Sequence, residues 1–368
     1  MTSDARRRVP EAPPLPPGRP VGPHHAPGGG YRSPWPAHPD LEARRGAFFA
    51  WMWDRIRTDL PPNPHPDRVP TGDPAPALPR ARPDELRITF VGHATFLIQV
   101  AGLNLLTDPI WSRRAGPFSL LGGPRFKEPG MSLDELPPID AVLLSHGHYD
   151  HLDAKTVRWL RDRFGPDLTW CTPLGYGAWL GARGVRWVRE LDWWEETSLE
   201  VAGRSVRLVC LPVRHWTRRG LRVNRELWAS WAVLEPRSEP EEHADRARAG
   251  GHPVRRGVYF AGDSGYCPAF REIGERLGPF RASILPIGAY EPRWFMAESH
   301  MNPEEAVRAY LDLGGSGAFI GMHWGAFRLT DEDPLEPPER TRAAWHDAGL
   351  PADHLRLPGV GGTVAIEP

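Results

Sequence analysis

The chain has 368 residues, 40% of them hydrophobic and 25% charged, with a formal net charge of −1 and an isoelectric point near 7.0. This is an ordinary globular composition, long enough for one large α/β domain or two small ones. It has no bulk charge to draw it to nucleic acid, and no nucleic-acid partner is expected.

The first 40 residues are rich in Pro, Gly, Arg and His, with almost nothing aliphatic to bury, so a disordered tail is expected there. Arg6, Arg7 and Arg8 lack the apolar stretch of a secretory signal, and no run of 18 apolar residues offers a spanning helix. A short helical pattern follows over residues 41–56, carrying Phe48, Phe49, Trp51, Met52, Trp53 and Ile56. Residues 59–82 read as a Pro-rich tether running extended over a surface. Residues 41–84 thus form a helix and tether ahead of a domain expected over 85–368.

Within that domain, β-type runs occupy residues 86–91, 95–100, 103–106 and 141–144. Residues 153–164 read as a helix with Asp153 as N-cap. Further strands are expected at 205–211, 229–234, 258–261, 283–286 and 318–321. A helix over 303–313 has Asn302 as cap and Pro303 in its first turn. The polar stretch 235–256 reads as an exposed inserted loop. The sequence shows no internal repeat of fixed period. Cys171, Cys210 and Cys267 match no zinc-ribbon or C-x-x-C spacing and are expected as reduced thiols in a cytoplasmic protein. Cys267, after Gly-Asp-Ser-Gly-Tyr, is the best candidate for a reactive one.

The densest chemical signal is Ser145-His146-Gly147-His148-Tyr149-Asp150-His151, directly after an apolar strand. Imidazole and carboxylate suit zinc, and iron or manganese also accept such donors. His146 and His148 can grip one metal, and Asp150 and His151 a second. A chance surface cluster of histidines needs neither the Asp nor the strand before it. Three more donors each follow an apolar strand: His215, Asp263 and His323. A lone histidine in such a place is usually structural. The recurrence at three strand ends points to one site, because active sites gather where loops converge.

The order His-x-His-x-Asp-His, then His, Gly-Asp-Ser and a final His, resembles the metallo-β-lactamase superfamily. Leu144–Asp153, Glu190–Glu196, Ala261–Phe270, Pro286–Met296 and His323-Trp324-Gly325 narrow the resemblance to the N-acylphosphatidylethanolamine-hydrolysing phospholipase D family. It spans about residues 85–361. The resemblance implies an αββα sandwich and two zinc ions. His146, His148 and His215 would hold one, Asp150, His151 and His323 the other, and Asp263 would bridge them. His300 matches a histidine this family uses near its active site, although it could equally be a helix-entry residue beside Asn302. The implied catalytic set is Asp150, Asp263 and His300. The implied reaction is attack on phosphorus by a water shared between the metals, releasing phosphatidic acid and an N-acylethanolamine. Hydrolysis of another phosphodiester or of a lactone is the alternative, since fold does not fix function.

A phospholipid substrate implies contact with a membrane surface. The 41–56 segment, with Arg44, Arg45, Arg55 and Arg57 flanking its aromatics, could lie in that interface as a peripheral element on the inner membrane face. It could instead pack on the catalytic domain. Trp111, Phe126 and residues 118–121 could line an acyl channel or sit in the core. The similar family enzyme is dimeric, so a homodimer is expected.

Overall fold

The computed structural model describes residues 22–36, 46–72, 79–117, 122–236 and 257–367. Two seven-stranded sheets stack face to face. The first contains β1 (Leu86–Gly92), β2 (Thr95–Val100), β3 (Leu103–Thr107), β4 (Ala141–Leu143), β5 (Thr169–Pro173) and β6 (Val188–Leu191). The second contains β7 (Glu196–Val201), β8 (Arg204–Leu211), β9 (Ser230–Leu234), β10 (Val258–Phe260), β11 (Ala282–Pro286), β12 (Ala318–Met322) and β13 (Leu355–Arg356). The C-terminal strand β14 (Thr363–Ile366) returns to pair with β1 on the first sheet.

Period-two alternation sorts the side chains between layers. Phe96, Ile98 and Val100 face the core between the sheets, whereas Leu97 joins a second cluster on the outer face. There α1 (Ala154–Phe164) covers the first sheet through Val157 and Leu160. Its Asp153 cap accepts from Lys155 N and from the hydroxyls of Ser112 and Thr156. On the outer face of the second sheet lie α2 (Ala269–Leu277) and α3 (Pro303–Asp312). Asn302 caps α3 by accepting from Glu305 N at 2.9 Å, and Glu305 reaches back to Asn302 N, a reciprocal capping box. The chain is an αββα sandwich.

The two sheets share one plan that the sequence does not show. Read β14-β1-β2-β3-β4-β5-β6 and β7-β8-β9-β10-β11-β12-β13, each has three antiparallel pairings and then three parallel ones. Each parallel half ends in loops that carry chemistry. Ligand sites form outside the carboxyl ends of such strands.

The disorder expected through residue 40 is corrected for residues 22–36, which lie on the catalytic domain. Polar and aromatic contacts replace the missing aliphatic burial: His24 and His25 hydrogen-bond Asp192, and Trp35 stacks near Trp193. Residues 1–21 and 37–45 lie outside the described residues. The helix expected over 41–56 runs from Ala47 to Arg57. Of the tether, Thr71 pairs with Val360, and residues 73–78 lie outside the description. So do 237–256 of the polar insertion and 118–121 of the candidate acyl channel.

Cys171, Cys210 and Cys267 are buried and free. Burial pushes the Cys267 thiol up to about 11, which corrects its reading as a reactive thiol. Trp111 and Phe126 pack with the hydrophobic clusters and not at the cleft described below. No helix among the described residues is long and apolar enough to cross a membrane.

Candidate metal centre

Strand ends place every donor. The loop after β4 carries His146, His148, Asp150 and His151; those after β8, β10 and β12 carry His215, Asp263 and His323. Gly262 makes the turn before Asp263 with φ 59°. A Cβ there would lie 2.5 Å from Ser145 Cβ, so only glycine fits. All seven donors converge, as does His300. Each is buried or half-buried, His323 being 3% exposed.

The donors form two groups. In the first, His148 Nδ1 lies 2.8 Å from His146 Nε2 and 3.2 Å from His215 Nε2. His215 Nδ1–H donates to the Ser299 carbonyl at 3.0 Å, which leaves its Nε2 as a lone pair. His146 is fixed the same way. The Ser145 hydroxyl donates to Asp108 at 2.5 Å and accepts from His146 Nδ1 at 2.9 Å. A single proton on His148 could serve only one of two facing lone pairs. A cation serves all three nitrogens.

In the second group, Asp150 Oδ2 lies 3.2 Å from His151 Nε2 and 3.4 Å from His323 Nε2. Both nitrogens also lie 3.1 Å from Asp263 Oδ2. Yet His151 Nε2, His323 Nε2 and Asp263 Oδ1 are buried without a hydrogen bond, an uncommon state for native polar groups. Ligands about 2.0–2.1 Å from a tetrahedral zinc sit roughly 3.3 Å from one another, so these residues fit a metal. Asp263 Oδ2 also lies 3.8 Å from His146 Nε2 and 3.9 Å from His215 Nε2, which sets it between the two groups. His300 Nδ1 lies 3.9 Å from the same oxygen and makes no hydrogen bond.

The charge balance follows from burial against neighbours. Burial disfavours charge on every group here. It wins at His146 and His215, held well below the ordinary imidazole value, and at His148, lowered to about 4. At His151 the carboxylates of Asp263, Asp150 and Asp108 outweigh burial and raise it well above that value. Asp263 and Asp150 likewise raise His323 to about 9. Both carboxyls stay well below theirs, because His151 and His323 offset their burial.

Two residues missed from the sequence belong to this site. His93, in the turn between β1 and β2 with φ 60°, places Nε2 2.9 Å from Asp150 Oδ2. Asp108, after β3, accepts from His151 Nδ1 at 2.7 Å and from Ser145 N at 2.7 Å. It thus orients His151 directly and, through the Ser145 hydroxyl, His146, the usual task of a carboxylate behind metal-bound histidines. The rule that singled out His215, Asp263 and His323 would have found both, since each directly follows an apolar strand.

Four of the donors, His148, Asp150, His215 and Asp263, line a cleft of about 610 Å³, as does His300. Its lining is largely apolar, with Phe48, Trp51, Phe295, Met296 and Leu329; Trp216, Arg218 and Val223 also line it. Phe48 and Trp51 come from the Ala47–Arg57 helix. It packs on the domain through Trp51, which stacks on Phe295 at 5.1 Å and donates to Asp331 at 2.7 Å. Its other face stays out: Phe49 is 77% exposed, Trp53 61% and Ile56 76%.

Comparison with known proteins accords with this geometry. Residues 103–324 match the β-lactamase superfamily domain. N-acyl-phosphatidylethanolamine-hydrolyzing phospholipase D 1 of Caenorhabditis elegans is 39% identical over 262 residues, 69% of this chain and 68% of that protein. The mitochondrial N-acyl-phosphatidylethanolamine-hydrolyzing phospholipase D of Saccharomyces cerevisiae is 31% identical over 76% of this chain and 56% of its own. A metallo hydrolase from the archaeon Ignicoccus hospitalis superposes with a TM-score of 0.54 at 20% identity, covering 77% of this chain and 99% of that one. At that identity the likeness concerns the fold.

Proposed function

The chain belongs to the N-acylphosphatidylethanolamine-hydrolysing phospholipase D family of the β-lactamase superfamily, a family of metal-dependent hydrolases, and on that premise we propose that it hydrolyses the phosphodiester of an N-acylphosphatidylethanolamine-like phospholipid. The products would be phosphatidic acid and an N-acylethanolamine. One observation carries this reading: a buried seven-donor centre opens, through His148, Asp150, His215 and Asp263, into a cleft lined by large apolar side chains. A small soluble ester needs no such wall, whereas acyl chains do.

His146, His148 and His215 would hold one zinc ion, and Asp150, His151 and His323 the other. Asp263, set between the groups, would hold both. Iron or manganese in their place is the alternative. Two zinc ions so held would supply Lewis acidity and activation of water at neutral pH. The chain's own residues do the rest. Asp108 and Ser145 hold imidazole rotamers through the contacts above, and His93 braces Asp150. His300 lines the cleft beside Asp263. Burial lowers it to about 3, so it meets a phosphoryl oxygen as a neutral imidazole able to donate one hydrogen bond. The apolar wall shields the reacting phosphodiester from bulk water.

The enzyme would work peripherally at the cytoplasmic face of a membrane. The exposed Phe49, Trp53 and Ile56 are on the helix that also gives the cleft Phe48 and Trp51, so docking them in lipid would hold the cleft close to the membrane surface. The test is mass spectrometry of products from N-acylphosphatidylethanolamine vesicles and zinc-loaded protein, with Asp263→Asn as control. Phosphatidic acid and N-acylethanolamine from the unmodified protein alone are expected. No product at full metal occupancy would overturn the lipid reading.

A further inference from the structure

Residues 22–36 cross the catalytic domain as a strap, fastened by a clamp outside the metal centre. The Nε2–H groups of His24 and His25 donate to the two oxygens of Asp192 at 2.7 and 2.8 Å. His24 and Asp192 are each 6% exposed. The His24 ring stacks on Trp193 at 4.2 Å, and Trp35 lies 5.8 Å from the same indole. Asp192 sits within the Glu190–Glu196 run whose role the metal centre leaves unexplained. Burial opposes charge on a carboxylate, and here two imidazoles satisfy both of its oxygens at once.

From the clamp the strap reaches the cleft at two points. Tyr31 N donates to Asn224 O at 2.7 Å, beside the hairpin of residues 218–223 that carries Arg218 and Val223 to the cleft. Gly30 permits this approach, since a Cβ there would lie 2.3 Å from Asn224 O. Further along, Pro36 O accepts from Arg214 Nη2 at 3.0 Å, and Arg214 immediately precedes His215. Between the two points, Ser33 lines the cleft itself.

We propose that this strap is a working wall of the substrate cleft, and that the His24–Asp192–His25 clamp is a positioning device that sets how tightly the cleft holds a long apolar substrate. The proposal deepens the phospholipid reading and rests on it for the natural substrate. None of His24, His25 and Asp192 is a metal donor, and the clamp holds the strap that reaches the cleft. Its loss is expected to weaken substrate binding while the metals stay bound.

The experiment compares two chromogenic phosphodiesters, one bearing a methyl group and one a hexadecyl chain, alongside N-acylphosphatidylethanolamine vesicles. The full chain is assayed with its metals, as wild type, as the double variant His24→Ala/His25→Ala, and as Ser33→Trp. In the clamp variant the hexadecyl-to-methyl ratio of kcat/KM is expected to fall about tenfold, roughly 1.4 kcal/mol of lost binding. The fall should come through KM, with metal content equal to wild type. Ser33→Trp keeps the clamp and crowds the wall, so the same ratio should fall again; it also serves if the clamp variant does not fold. An unchanged ratio in both variants overturns the proposal, as does an equal loss on both esters or a loss of metal. Wild type that ignores the phospholipid while the strap variants still lower the ratio overturns the lipid reading alone and leaves the wall standing.

Discussion

His93 Nε2 lies 2.9 Å from Asp150 Oδ2, the oxygen that also faces His151 and His323. A buried imidazole thus shares the metal-facing oxygen of this carboxylate with His151 and His323, while the His93 carbonyl accepts from His323 N at 2.9 Å. Both residues hold left-handed backbone, φ 60° at His93 and 64° at His323, which costs energy that side chains on a regular strand would not.

Because His93 steadies Asp150 without a place in the seven-donor set, His93→Ala is expected to weaken metal binding about 10–100-fold, as removal of such outer partners does. Chelator competition measures this. Metal retention equal to wild type would show that Asp150 needs no brace.

Asp108→Asn tests the other outer residue. It removes the carboxylate that accepts from both His151 and Ser145, so His151 loses its fixed tautomer and His146 its partner's anchor. Metal affinity should again fall about 10–100-fold. Ser145→Ala cuts only the His146 branch and should cost less. Equal losses in the two variants would contradict the branching.

Asp263→Asn removes the carboxylate between the two groups. Most bound metal and activity should go together, read by elemental analysis and turnover. Full occupancy with undiminished turnover would end the assignment of Asp263.

The metal-free protein should be least stable at both ends of the pH range. His93, His146, His148, His215 and His300 are held neutral, mainly by burial. Unfolding lets them take protons, so stability drops as pH falls below their ordinary 6.5. His151 and His323 are raised instead, so what they contribute is lost as pH rises through about 9, the value of His323. A metal needs their lone pairs and expels those protons, so metal affinity should fall as the solution is acidified. Thermal melts with and without chelator across pH 5–10 read all three trends. Parallel curves for the two forms would refute the coupling.

Replacing Phe49, Trp53 and Ile56 together by Ser should lower binding to phospholipid vesicles while leaving metal content alone. Trp51, which holds the helix to the domain, is untouched. Vesicle sedimentation measures it, and unchanged binding would remove this helix from the membrane contact. Deleting residues 1–60 would be a poorer test, because that cut also removes the strap.

Much of this protein could be read from the sequence because the signals are local. Short apolar, β-type runs marked β1, β2, β3 and β4 to within a residue at each end. Asp153 and Asn302 announced their helices because a cap acts within three positions. The seven donors stood out because each comes directly after an apolar run. The edge strands Glu196–Val201 and Thr363–Ile366 passed unnoticed; partly exposed, and the first of them mostly polar, they owe their pairing to the neighbour strand and not to their own pattern.

What the tertiary structure decided depends on contacts between distant positions, which no local pattern encodes. His93 meets Asp150 across 57 residues and Asp108 meets His151 across 43; each follows a strand as the chosen donors do, and only the pairing order of the first sheet's strands shows that they face the same point. Residues 22–36 look disordered by composition, for they bury almost nothing aliphatic. Asp192, 168 residues beyond His24, supplies the partner that holds them, because a buried carboxylate must be satisfied and two imidazoles can do it from a segment with no hydrophobic core of its own.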